Sequence, residues 1–169
     1  MFTLNNIRFK NILDIEALTI PKHKVTCIVG ESGSGKTTLL RLLNKLISYD
    51  SGEIFYNGQA LTTIPSVELR RRVTMLSQLP SIFPGTIGDN LKIGLKFSEK
   101  PVVSDAKIRD ILRMVHLNKE PDTESDKLSG GEKQRLALGR IILLDPEVFY
   151  WMSPPLHLMK KPNELSLNN

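Results

Sequence analysis

The segment GESGSGKT, residues 30 to 37, constrains the fold of this chain more than any other stretch. Its glycines, lysine and threonine fit the spacing G-x-x-x-x-G-K-[ST], which is typical of a phosphate-binding glycine loop. The largely apolar run KVTCIV, residues 24 to 29, precedes it, and Leu39, Leu40, Leu43, Leu46 and Ile47 follow at helical spacing. The pattern therefore predicts a buried strand, a phosphate-binding loop and an amphipathic helix, in that order.

The residue types of this loop suit a nucleoside triphosphate with Mg²⁺. Glycines let backbone N–H groups approach phosphates, and the start of the following helix adds partial positive charge. Lys36 would place a positive charge at the terminal phosphates, and Thr37 would offer its hydroxyl to the metal ion. A glycine-rich turn with a solvated lysine is the alternative. The candidate binding residues are Gly30, Glu31, Ser32, Gly33, Ser34, Gly35, Lys36, Thr37 and Thr38.

A second pattern, LSGGEKQR at residues 128 to 135, lies far along the chain from the first. Its serine hydroxyl and glycine amides would open a helix, and such a helix start can bind an anion. The same letters also make an ordinary helix start, with Ser129 as the N-cap and Glu132 three residues later. Taken alone, the pattern leaves both interpretations open.

Together the two patterns resemble those of the ATP-binding subunit of ABC transporters, with Glu132 where that family often has glutamine. The resemblance extends from about Ile7 to Val148. It implies an α/β fold made of a P-loop NTPase core sheet, an antiparallel N-terminal subdomain and a helical signature subdomain at about 87–128. On this basis residues 1–149 are expected to form an ABC-type ATP-binding domain that is incomplete at its C-terminus.

The resemblance also implies ligands and partners. ATP and Mg²⁺ are the expected cofactors, and Gln78 matches the glutamine that contacts Mg²⁺ and the attacking water. Phe9 is the best match for the aromatic residue that stacks on adenine, although a place in the strand core is an equally good interpretation. The residues that would close over the γ-phosphate of a second, head-to-tail nucleotide-binding subunit are Ser129, Gly130, Gly131 and Glu132.

The stretch LPSIFPGTIGDNL, residues 79 to 91, resembles the surface of such subunits that receives a transmembrane permease subunit. The implied function is to power transport, from the cytoplasmic, inner face of the cell membrane.

Composition limits the other possibilities. A chain of 169 residues with 40% hydrophobic content suits one globular domain. It contains no membrane-spanning run or signal-peptide core, so we expect a soluble chain. The only cysteine, Cys27, excludes an intrachain disulfide and is expected to be buried in its strand. The net charge of +5 permits an anionic partner without selecting one.

Periodicity and turn signals predict the other elements. They are strands at 2–9 and 15–20, a hairpin turning at Asn57-Gly58, a helical turn at 66–72, a strand VTMLSQ at 73–78, helices between Ile87 and about Leu117 interrupted at 96–104, a helix from the second pattern, and a strand after LLDPE.

The last apolar run, EVFYW, ends on Met152 and Ser153. In the resembling family these positions carry an aspartate associated with Mg²⁺ and a glutamate that polarises water. A thioether is a poor ligand for a hard cation, and a serine without a neighbouring base accepts a proton weakly. The sequence therefore predicts a chain that binds ATP but hydrolyses it poorly or not at all.

The genetic code suggests a cause for the missing acids. When each codon's last base is read with the next codon's first two, Phe149 to Tyr150 and Tyr150 to Trp151 must each give Leu. Trp151 to Met152 must give Asp, because TGG ATG contains GAT, and later degenerate positions allow the continuation LLDEP(S/T)SALDE. We hypothesise that one base is lost near codons 149 to 150 and that residues 150–169 are an out-of-frame tail before an early stop.

Two alternatives remain. A DNA-maintenance ATPase shares both motifs, and a basic chain would suit nucleic acid. The motifs are too close together for a long coiled-coil insertion, however, so no nucleic acid partner is expected. The other alternative is a non-functional fragment. The chain's histidines do not suggest a metal or catalytic site: His23 and His116 lack a partner pattern, and His157 lies in the suspected tail.

Overall fold

A computed structural model of the protein describes residues 1–152. Its N-terminal part is an antiparallel sheet of β1 (Phe2–Phe9), β2 (Leu13–Ile20), β3 (Ser51–Tyr56) and β4 (Gln59–Ala60), in the order β2-β1-β3-β4. Asn57 and Gly58 both have positive φ, 51° and 81°, in the two-residue turn between β3 and β4. This conformation matches a type I′ hairpin. The predicted antiparallel subdomain and its hairpin are confirmed.

An irregularity in β1 explains its apolar spacing. Phe2 and Leu4 are buried, but the next buried residues are Ile7 and Phe9, so the inward-facing positions change from even to odd. The pairing of β1 with β3 shifts register between Asn5 and Arg8. A bulge of this kind adds a residue to one strand, and it keeps both halves of β1 facing the core.

The second sheet is a parallel pair formed by β5 (Val73–Leu76) and β6 (Val148–Trp151). Two helices accompany the sheets, α1 (Lys36–Leu43) after the glycine loop and α2 (Ser66–Arg72) before β5. One core joins these elements, and its members include Leu4, Leu42, Ile54, Leu69, Val73 and Tyr150. The carboxyl ends of β5 and β6 therefore lie at one edge, where α/β proteins commonly bind ligands.

The helical part contains α3 (Ile87–Phe97), α4 (Asp105–Met114) and α5 (Gly130–Leu144). The helices share a separate core that includes Ile87, Leu91, Ile108, Ile111 and Leu136. Thr86 begins α3 and Ser129 begins α5, each with a reciprocal capping box. These local signals explain why the predicted helix positions agree with the structure.

Two predictions about the segments flanking the glycine loop were wrong. Residues 24–29 form no strand: Val25 and Val29 are 95% and 82% exposed, and Cys27 is exposed rather than buried. A parallel strand needs neighbours that supply its hydrogen bonds. Within residues 1–152 neither β5 nor β6 pairs with this segment.

The helix after the loop is also shorter than its leucine pattern predicts. It ends at Leu43 because Lys45 adopts a left-handed conformation, with φ of 50°, and Leu46 is 46% exposed. The backbone N–H of Leu46 donates to the carbonyl of Arg41, which closes the helix end.

Candidate nucleotide-binding site

The antiparallel sheet supports the glycine loop from one side. Gly35 precedes α1 with φ of 85°, a conformation that favours glycine. A Cβ atom at this position would lie 2.6 Å from Cδ2 of Leu13 and 3.1 Å from the carbonyl oxygen of Ile12. The turn between β1 and β2 thus packs directly against the loop, and a side chain at position 35 would require this turn to shift.

Lys36 folds back over the loop. Its ammonium donates to the carbonyl oxygens of Gly30 at 2.8 Å and Glu31 at 2.6 Å, and to the hydroxyl of Ser34 at 3.2 Å. These three acceptors match the three donors of an ammonium group. A phosphate bound by Lys36 would therefore have to replace at least one of these acceptors.

The other loop residues surround this lysine. Ser32 and Gly33 are exposed, and Gly33 has φ of 85°. Thr37 and Thr38 lie partly buried in the first turn of α1. The predicted loop residues are therefore brought together as one segment that leads into a helix.

Phe9 lies in the core rather than beside an open site. It is 9% exposed and belongs to the main hydrophobic core, while the ammonium of Lys10 lies 5.3 Å from its ring centroid. The structure thus favours the core interpretation over adenine stacking.

The second motif forms the start of α5. The hydroxyl of Ser129 accepts from the backbone N–H of Glu132 at 3.4 Å, and the Glu132 carboxylate accepts from the backbone N–H of Ser129 at 2.8 Å. The Ser129 backbone N–H, aided by its hydroxyl, lowers the pKa of Glu132. The capping interpretation is confirmed. Gly130 and Gly131 at the same helix end are exposed.

Gln78 and Met152 both follow the carboxyl ends of the parallel strands. The carbonyl of Gln78 accepts from Nε2 of Gln134 at 3.1 Å, and its side chain is exposed. The backbone N–H of Met152 donates to the carbonyl of Leu76 at 3.1 Å. Met152 therefore lies beside the carboxyl end of β5, while Ser153 and His157 fall outside the described residues. Within residues 1–152 no group of three or more His, Cys, Asp or Glu could hold a metal ion.

The predicted binding residues lie in different elements of the structure. No side-chain hydrogen bond among residues 1–152 joins the glycine loop to Gln78 or to Ser129. The glycine loop and the start of α5 are two candidates for anion binding.

A charged group beside the second sheet has no signature in the sequence. The carboxylate of Glu147 accepts from Nε of Arg72 at 2.6 Å and from the hydroxyl of Tyr56 at 2.8 Å. The Arg72 guanidinium lies 5.1 Å from the Tyr56 ring centroid. Arg72 and Tyr56 lower the pKa of Glu147, while burial raises that of Tyr56. No local pattern predicts this contact, because the residues are distant in sequence.

Comparison with known proteins identifies the family. A family model described as "ABC transporter" matches residues 13–151. Protein STAR1 of Oryza sativa is 37% identical over 148 residues, which cover 87% of this chain and 42% of that protein. The phosphate import ATP-binding protein PstB of Pyrobaculum aerophilum is 38% identical, covering 83% of this chain and 62% of that protein. The chain thus spans between 42% and 62% of the length of these two relatives.

A solved structure of a bacterial Atm1-family ABC exporter with ATP bound has a TM-score of 0.78 and 28% identity. The match covers 89% of this chain and 28% of that chain. No helix within residues 1–152 has the length and apolar character needed to cross a membrane. The family match, the relatives and the fold together show that this chain belongs to the ABC transporter family and has the fold of its nucleotide-binding domain.

Proposed function

We propose that this chain binds ATP with Mg²⁺ and that its intact parent hydrolyses ATP to power an ABC transporter. The observation that carries this proposal is the glycine loop at the start of α1, with Lys36 held over its carbonyl oxygens. Packing within the loop also favours glycine at position 30, since a Cβ atom there would lie 2.7 Å from Oγ of Ser34. Relatives named as ATP-binding proteins of import systems support the same function.

The metal ion would be held by the Thr37 hydroxyl and the Gln78 side chain. Thr37 lies in the first turn of α1, directly after Lys36, and the exposed Gln78 side chain is free to turn toward a ligand. Oxygen ligands of this kind suit Mg²⁺, which commonly completes its shell with phosphates and water. When bound, the ion would neutralise charge on the phosphates.

Hydrolysis by this chain is expected to be negligible. Met152 lies at the carboxyl end of β6 and offers a thioether where the family carries an aspartate. The frame change near codons 149 to 150 would explain the missing aspartate and remains a hypothesis about the gene. Sequencing the gene across codons 145 to 170 tests this hypothesis, and an unchanged frame would reject it.

The partners follow from the two candidates for anion binding. A second nucleotide-binding subunit, arranged head to tail, would bring its glycine loop to Ser129, Gly130, Gly131 and Glu132. The transmembrane permease subunit would contact the segment of residues 79–91, where Leu79 is 87% exposed. The assembled protein would lie on the cytoplasmic face of the membrane.

Titration with a fluorescent ATP analogue and Mg²⁺ tests ATP binding. We expect saturable binding that Lys36→Ala weakens by at least about tenfold, since the variant removes a charge-assisted contact to phosphate. Lys107→Ala, an exposed lysine of α4, is the matched control and should bind as the wild type does. Equal binding by Lys36→Ala and the wild type would contradict the proposal. Phosphate release in the same samples should stay at background. Phosphate release that rises when DNA is added would favour a DNA-maintenance ATPase.

A further inference from the structure

Arg140 of α5 fastens the loop that precedes α3. Its guanidinium donates from Nε to the carbonyl oxygen of Asn90 at 2.8 Å, from Nη2 to Oδ1 of Asn90 at 2.9 Å, and from Nη1 to the carbonyl oxygen of Ser81 at 3.0 Å. The ring of Phe83 lies 5.0 Å from the guanidinium carbon. Arg140 is therefore held by amide oxygens and an aromatic face from two other elements.

The charge of Arg140 is unusual because no carboxylate within residues 1–152 pairs with it. Burial lowers the pKa of the Arg140 guanidinium. Placing a charge in such surroundings costs free energy, which the three hydrogen bonds and the aromatic contact offset. A solvated arginine on an amphipathic helix would have no such arrangement.

Two fully buried side chains complete the attachment of the loop. Asn90 accepts from the backbone N–H of Phe83 at 2.9 Å and donates to its carbonyl oxygen at 2.8 Å. Ser125 donates to the carbonyl oxygen of Gly85 at 2.7 Å and accepts from Nδ2 of Asn90 at 3.1 Å. Such a satisfied polar network fixes one arrangement of its backbone partners.

The loop is consequently attached to α5 at two points. Gln134 holds the carbonyl of Gln78, and Arg140 holds the carbonyl of Ser81. The same helix begins at Ser129 with the exposed glycines. Since an α-helix moves largely as a rigid element, displacement of residues 78–85 should be transmitted to the start of α5.

We propose that Arg140 is a positioning residue that couples the loop of residues 78–85 to the N-terminus of α5. The proposal rests on the proposed function, because the loop contains the Mg²⁺ candidate Gln78 and the helix start contains Ser129. The role of Arg140 is to make the state of the loop and the position of the helix start depend on each other.

Hydrogen exchange of backbone amides in the 169-residue chain tests the coupling. Protein is kept at a concentration at which light scattering shows a monomer with Mg²⁺ and ATP, so that no partner contacts α5. In the wild type, ATP should change exchange both at residues 79–85 and at residues 130–133. Arg140→Lys keeps the charge but a single ammonium cannot reproduce the planar fork of bonds. This variant should bind ATP within about threefold of the wild type and retain the loop change, but lose the change at 130–133.

Arg113→Lys is the matched control, because it makes the same substitution at an exposed side chain of α4. It should behave as the wild type does. Undiminished ATP-dependent exchange at 130–133 in Arg140→Lys would overturn the proposal. So would a wild type whose loop responds to ATP while residues 130–133 do not. If Arg140→Lys fails to fold, Phe83→Ala replaces it, since that variant removes the stacked ring and leaves the hydrogen-bonding groups of the network in place.

Failure of ATP binding in the wild type would reject the proposed function, and the coupling is then tested without nucleotide. Phe83→Ala should raise exchange at residues 130–133 by about threefold or more in the wild-type background, and have little effect in the Arg140→Lys background. Equal effects in both backgrounds would overturn the coupling, and absence of any effect would do the same.

Discussion

At the residue scale, Tyr150 carries a buried hydroxyl group that has no hydrogen-bond partner among residues 1–152. The side chain is 8% exposed and packs near Phe2, with 6.4 Å between ring centroids. Burial raises the pKa of this hydroxyl. Because a buried unsatisfied polar group is costly, Tyr150→Phe should raise the free energy of unfolding by about 1 kcal/mol. Urea unfolding followed by fluorescence measures the difference.

Tyr56→Phe is the control for that change, because it removes the same atom from a hydroxyl that does have a partner. The Tyr56 hydroxyl donates to Glu147 at 2.8 Å. Its loss should lower the free energy of unfolding by about 1 kcal/mol, so the two variants should shift stability in opposite directions. A destabilised Tyr150→Phe would show that the Tyr150 hydroxyl has a partner in solution.

At the scale of elements, the sequence predicts those whose signals are local. The Asn57-Gly58 turn and the capping boxes at Thr86 and Ser129 depend on neighbouring residues, so their elements agree with the structure. The same reason explains why the glycine loop could be predicted from spacing alone. The Arg140 attachment could not, because an arginine among helical apolar residues usually indicates a solvated position. The strand predicted at residues 24–29 is absent from the structure because a parallel strand depends on neighbours from elsewhere in the chain.

The segment of residues 24–29 gives a direct test of that difference between sequence and structure. Val25 is 95% exposed, whereas Val73 of β5 is fully buried. The structure predicts that Val25→Thr changes the free energy of unfolding by less than about 0.5 kcal/mol. Val73→Thr makes the same substitution in the core and should lower it by about 1 to 3 kcal/mol. A similar loss in both variants, measured by urea unfolding, would mean that residues 24–29 form a buried strand in solution.

At the scale of the whole molecule, Glu147 joins the two sheets and should make stability depend on pH. Glu147 directly precedes β6, and its carboxylate accepts hydrogen bonds from Tyr56 of β3 and Arg72 of α2. The hydrogen bond from Arg72 is the largest cause of the lowered pKa of Glu147. A carboxylate whose pKa is lower in the folded state stabilises the protein above its unfolded value, here the ordinary value of 4.5. This contribution is lost as the pH falls through the lower, folded pKa. We therefore expect the stability difference between wild type and Glu147→Gln to be largest near pH 7.

The magnitude of that difference is limited because the Glu147 side chain is 42% exposed. Solvent screening reduces the value of such a pair to about 1 kcal/mol. Urea unfolding at intervals from pH 7 to pH 3 should show the difference between wild type and variant shrinking below pH 4.5. Glu53→Gln, which removes the same charge from an exposed position of β3, should leave stability nearly unchanged throughout. A Glu147→Gln difference that is constant or grows with acidity would show that the contact between the two sheets does not depend on the charge of Glu147.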